Sequence, residues 1–247
     1  MAQADWNVLN NTIPQASVER GSTSGIPRPN GGGQFVYGFN SLQSIANGAS
    51  AQYLNLTDFN PTAKGARIAA AIQRGLGAND TGFSAWVYVC LQSNDTNDVG
   101  YMLGLSDASP SRLILRKGVL SSGIPDDTPD PAENGNLLAS TNTYARGTWV
   151  HVQLTAIVQD NGDVVLTAET NDLDANAVTA PVWTTPGGME GPQDGVADGP
   201  ITGFVDDALQ VNTGTAPLVS GFMGFGMAVN GAARRSFFDH ITAARQT

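Results

Sequence analysis

The side chains that could do chemistry in this chain are few and scattered. Histidine occurs twice, as His151 and His240. Each lies in an alternating run, WVHVQL or FFDHITA, and so reads as a structural strand residue. Cys90 is the only cysteine and sits inside FSAWVYVCLQ. Free cysteine is among the most buried residue types, so an inert core thiol is expected. No intrachain disulfide framework can form. The His/Cys spacing of a zinc site is absent. Glutamate occurs at Glu19, Glu133, Glu169 and Glu190. None belongs to a Glu-x-Asp-x-Glu pattern. Retaining polysaccharide hydrolases need two carboxyl groups about 5–5.5 Å apart, which this distribution argues against. GSTSG at Gly21 to Gly25 places Thr23 where a nucleophile elbow needs serine. No catalytic residue is expected.

Binding chemistry has more candidates. GFMGFG, Gly221 to Gly226, has the glycine density of a phosphate loop. A dinucleotide fingerprint needs G-x-G-x-x-G after a strand and before a helix. Here the spacing is reversed and no helical pattern follows. Met223, Phe225, Met227 and Val229 share one strand face, with Phe222, Gly224, Gly226 and Ala228 on the other. The reading is a strand, smooth on one side. Calcium wants six to eight oxygens. Asp172 and Asp174 in NDLDAN supply some, as do Asp126, Asp127, Asp130 and Glu133 in a second loop. Neither forms an EF-hand, and solvated turns are the expectation, so no cofactor or metal is assigned. Trp86 and Trp149 stand in core-like strands. Trp183 borders a Gly/Pro-rich loop, so Trp183, Asp194 and Asp198 are the candidate contact for a glycan or a partner.

The elements that must position these residues are strands. WVHVQLTAIV puts Val150, Val152, Leu154, Ala156 and Val158 on one face. Trp149, His151, Gln153 and Thr155 fall on the other. Asn161-Gly162 follows, then VVLTAET, which is a strong hairpin signal. Phe83 to Gln92 is apolar on both faces and reads as a central strand. Tyr101 to Leu105 and Arg112 to Lys117 read as another hairpin. Gln34 to Phe39 and Ala51 to Thr57 are shorter strands. ARIAAAIQR, Ala66 to Arg74, fits helix by its alanines and strand by its neighbours; strand is the expectation. Asn230-Gly231 predicts a closing hairpin from the GFMGFG strand into Ser236 to Ala243. Gly21 to Gly33, Ile124 to Asn136 and Thr184 to Pro200 read as loops. The first is a candidate extended arm.

The totals agree. Across 247 residues, 41% are hydrophobic and 14% charged, which argues against disorder. Many short strands separated by turns predict one all-β antiparallel sandwich or jelly roll spanning 1–247, with the arm within 1–33. The net charge is −10, and lysine occurs only at Lys64 and Lys117. Such a surface disfavours nucleic acid. MAQADWNVLN has no secretory pattern and no run of about 18 apolar residues suggests a span, so no membrane partner is expected.

GTWVHVQLTAIVQDNGDVVLTAETNDLD resembles the late strands of concanavalin-A-like and laminin-G-like jelly rolls. GFMGFGMAVNGAARRSFFDHITA resembles their closing hairpin, with Gly224, Phe225, Gly226, Arg235, Phe238 and Asp239 matching. The middle, from FNPTAKGARIAAAIQRG through GYMLGLSDASPSRLILRKG, is similar to virion proteins of tailed bacteriophages that use this fold. The resemblance implies a non-enzymatic virion component, made in the host cytoplasm. It would decorate the capsid or belong to the tail or baseplate. Its partners would be other virion proteins and copies of itself. The alternative is a module that binds host-surface glycan.

Overall fold

The computed structural model describes residues 6–8, 15–20, 35–41, 49–56, 65–75, 83–92, 98–124, 126–131, 134–171, 182–184, 186, 189–191, 203–230 and 234–245. In chain order the strands are β1 (Trp6–Val8), β2 (Gln15–Arg20), β3 (Phe35–Ser41), β4 (Ala49–Leu56), β5 (Gly65–Arg74), β6 (Phe83–Gln92), β7 (Val99–Leu105) and β8 (Ser111–Val119). They continue as β9 (Asn136–Tyr144), β10 (Trp149–Val158), β11 (Val164–Asn171), β12 (Trp183–Thr184), β13 (Met189–Glu190), β14 (Phe204–Asp206), β15 (Phe222–Asn230) and β16 (Arg234–Arg245). No helix among the described residues is long and apolar enough to cross a membrane.

These strands form two antiparallel sheets. The first runs β1-β4-β15-β6-β7-β8-β9-β13, and the second runs β12-β11-β10-β5-β16-β3-β2, with β14 also on β11. Successive strands change sheet at β1 to β2, β3 to β4, β4 to β5, β5 to β6, β9 to β10, β12 to β13, β13 to β14, β14 to β15 and β15 to β16. The late strands insert between early ones: β15 lies between β4 and β6, and β16 between β3 and β5. The molecule is an all-β jelly-roll sandwich, as the turn-punctuated sequence predicts.

The expected strands fall where the alternation placed them, and the ambiguous alanine run is β5. One expected hairpin holds, and two other expectations change. Asn161-Gly162 closes a true hairpin, because β10 and β11 pair directly. Asn230-Gly231 does not, because β15 belongs to the first sheet and β16 to the second. Each of the two strands pairs with strands from earlier in the chain instead; Gly231 lies outside the described residues. The segment Thr184 to Pro200 is not loop throughout. Met189–Glu190 forms β13 and pairs with β9, and Met189 is buried in the core.

The core lies between the sheets. Ile68, Ile72, Val152, Leu154 and Phe238 from the second sheet meet Val87, Leu103, Leu115, Phe225 and Met227 from the first. Phe225 and Phe238 rings approach to 4.9 Å. The first sheet also buries its outer face. After β8 a 3-10 turn at Leu120–Ser122 folds the chain back. Leu120 and Ile124 pack there on Trp86, Tyr88 and Met102, and the Ile124 N–H donates to Ser84 Oγ at 2.8 Å. The smooth face of β15 lies in this layer: Gly226 sits opposite Trp86 and Gly224 opposite Tyr88. The protein's own chain therefore packs there, and Phe222 to Gly226 is strand rather than phosphate loop. Of the proposed N-terminal arm, β1 and β2 are edge strands; Gly21 to Gly33 lies outside the described residues.

Candidate functional site

The outer face of the second sheet carries the polar side chains that the core cannot use. Register sorts them into rows. Trp149 pairs with Gln73, and Gln73 with Phe237. His151 pairs with Ala71, and Ala71 with Asp239. Gln153 pairs with Glu169 on one side and Ala69 on the other, and Ala69 with Thr242. All point outward, because their neighbours Val150, Val152, Leu154, Ile68, Ala70 and Ile72 fill the core. The central strand β5 carries Ala69 and Ala71 between larger side chains on β10 and β16, and both are covered, with Ala71 packed against Trp149 and Phe237.

Trp183 joins this face from β12, where it sits opposite Asn171. Its ring meets His151 edge-on, with centroids 4.7 Å apart. His151 is only 1% exposed, whereas Trp183 is half-buried. The imidazole therefore supports the indole from the side and fixes its plane. His240 completes the group, with its ring 5.8 Å from that of His151. A bulge between Asp239 and Thr242 places it there. His240 takes φ of 50°, and the Asp239 Oδ1 accepts its backbone N–H at 2.7 Å. Gln153 Nε2 donates to Glu169 Oε2 at 2.7 Å, which fixes the amide on the same face.

The face can stack a flat apolar surface against Trp183 and exchange hydrogen bonds through the exposed His240 and the half-buried Glu169 and Asp239, with His151, Gln153 and Asn171 buried behind them. No group of three or more His, Cys, Asp or Glu is placed to hold a metal ion among the described residues. Of the residues singled out in the sequence, Trp183 lies in this group, while Asp194 and Asp198 lie outside the described residues. The two histidines, read separately as structural, are brought together. Strand parity could have revealed half of this, since it puts His151 outward. The pairing of β5 with both β10 and β16 could not be read from one sequence.

Two other polar clusters are internal supports. Asp206 is fully buried. Its carboxylate accepts from Tyr101 Oη at 2.5 Å and Thr213 Oγ1 at 2.8 Å, and pairs with Lys117 Nζ at 2.7 Å. Lys117 Nζ also donates to the carbonyls of Thr215 and Ala216, at 3.1 and 2.9 Å. Tyr101 Oη accepts the Leu218 N–H at 2.8 Å. Burial, then the hydrogen bond to Asp206, pushes the Tyr101 phenol far above its ordinary range. With its lone pairs taken, Asp206 serves to pin the segment after β14. Arg74 is 1% exposed and grips the β7–β8 loop. Its guanidinium donates to the Ser106 carbonyl, Ser111 Oγ and, at 2.7 Å, the Ala108 carbonyl. It also lies 4.4 Å over the Phe83 ring.

No protein-family model matches the chain, and no curated protein matches it in sequence. Among solved structures, the carbohydrate recognition domain of Emp47p is 12% identical with a TM-score of 0.47, covering 98% of this chain and 89% of that one. A legume lectin-like domain from Entamoeba histolytica is 8% identical with a TM-score of 0.46, covering 99% and 91%. A PL-14 alginate lyase from Aplysia kurodai is 6% identical with a TM-score of 0.48, covering 97% and 90%.

Proposed function

We propose that the chain is a glycan-binding module that recognises sugar on the outer face of its second sheet and does not turn it over. The observation that carries this is the Trp183 indole, held edge-on by His151 at the rim of a face lined by Asn171, Gln153, Glu169, Asp239 and His240. A sugar ring offers an apolar C–H face and a rim of hydroxyls. An indole takes the first, and amide and carboxylate groups take the second. The carboxylates of Glu169 and Asp239 and the net charge of −10 favour neutral sugars over sulfated or uronic ones.

The test is a glycan array followed by calorimetry on whatever binds. Wild-type protein should bind a neutral glycan, and Trp183→Ala should weaken it tenfold or more, the loss of about 1.4 kcal/mol. An array without a hit, with and without calcium, or a Trp183→Ala protein that binds like wild type, rejects the reading. Carriage on a virion is a separate part of the proposal, supported by the resemblance of the middle stretch. Immunogold labelling of intact particles checks it, and an unlabelled particle removes it.

A further inference from the structure

We propose that the far end of this outer face is a self-association surface, through which two copies of the chain pair about a two-fold axis. Ile157, Val165 and Val205 lie side by side across β10, β11 and β14 in continuous register. They point outward, because Ala156, Val164 and Leu166 fill the core and Phe204 packs against it. Just past β14 the chain turns and presents Leu209 and Val211, which are 85% and 79% exposed. Single exposed apolar side chains are ordinary; a row joined to an apolar turn at one end of a sheet marks a contact.

The turn is built to hold those side chains in place. The Asp207 carboxylate accepts the N–H groups of Val211 and Asn212 at 3.0 and 2.7 Å. These bonds hold its carboxyl below the usual range. The Asn212 side chain donates to the Val205 carbonyl at 2.7 Å. Asp163 accepts the Ala208 N–H at 2.8 Å. The buried Lys117–Asp206 pair anchors the base of the turn. An apolar tip on a locked backbone loses little entropy when it is covered.

Charge points to a second copy as the occupant. Asp160, Asp163 and Asp207 stand at the hairpin end of the apolar strip. On its other side, β5 turns the exposed Arg67 outward opposite Thr155, one row from Ile157. A two-fold axis through the strip sets each Arg67 against the partner's acidic turn, so the patch is complementary to itself. A stable interface covers about 800 Å² on each partner. Five apolar side chains do not reach that, so Thr155, Thr167 and Arg67 belong to the covered surface. The rows around His151 stand about 20 Å away along the strand and lie outside this contact. The inference does not depend on glycan binding.

Sedimentation velocity over a concentration series up to roughly 100 μM tests it, since weak interfaces of standard size show there. Wild-type protein should shift from monomer to dimer. L209D/V211D should remain monomeric with an unchanged melting temperature, because both side chains are outside the core. R67E should weaken the dimer by about tenfold, and it decides the matter if the double variant folds poorly. A wild-type chain that stays monomeric throughout, or an L209D/V211D protein that dimerises like wild type, overturns the proposal. A dimer indifferent to R67E overturns the two-fold arrangement.

Discussion

At the scale of single residues, burial decides what each reactive group can do. The Cys90 thiol is buried, and that burial pushes it up to about 12. It is therefore a core residue and no nucleophile. Lys117 and Asp206 are a buried pair with every partner in place. Lys117→Met leaves Asp206 charged and buried with only hydroxyl donors. A loss of about 3–5 kcal/mol is expected in urea unfolding. Asp107 gives a pH signature. Burial, opposed by Arg74 and aided by Asp127 and Asp126, raises its carboxyl from 3.8 to about 6. A raised carboxyl binds its proton more tightly when folded. Its contribution to stability is thus full below the unfolded value and is lost as pH rises through the folded one. Stability should fall between those two values as pH increases. Asp107 is partly exposed, so the slope is shallow. Asp107→Asn should flatten it, seen by melting across pH 4 to about 7.

At the scale of elements, alternation made most strands legible. The run WVHVQLTAIV became β10 with Val150, Val152, Leu154 and Ala156 inward and His151 outward. Local pattern reports which face a side chain takes, and that is a property of the strand alone. It does not report the partner strand. That is why Asn161-Gly162 and Asn230-Gly231 looked alike, yet one closes a hairpin and the other lies between sheets. Close approach of β6 and β7 was equally invisible. Gly104 lies where a Cβ would stand 2.2 Å from the Ala85 carbonyl oxygen and 2.6 Å from Trp86 Cα. Both contacts are backbone and cannot rotate away. Gly104→Ala should cost about 2–3 kcal/mol by forcing the strands apart, measurable as a lower urea midpoint.

At the scale of the whole molecule, the fold class could be read from the sequence and the strand order could not. The central pairing of β5 with β16 joins residues more than 150 positions apart, and no local signal encodes it. The candidate site shares that difficulty. Trp183 could be found from its place beside a Gly/Pro-rich loop. His151 and His240 meet only because β10, β5 and β16 are neighbours. The same layout divides the outer face into a polar, aromatic end and an apolar end, two surfaces suited to different partners.

The central claim is that sugar binds at the polar end. NMR titration of ¹⁵N-labelled protein with neutral oligosaccharides tests it most directly, because the Trp86 indole, buried on the other sheet, serves as an internal control. The Trp183 indole N–H and the amides around His151, Gln153 and Asp239 should shift with one saturating isotherm, while the Trp86 indole stays still. No shift at Trp183, or shifts confined to residues 207–214, would contradict it.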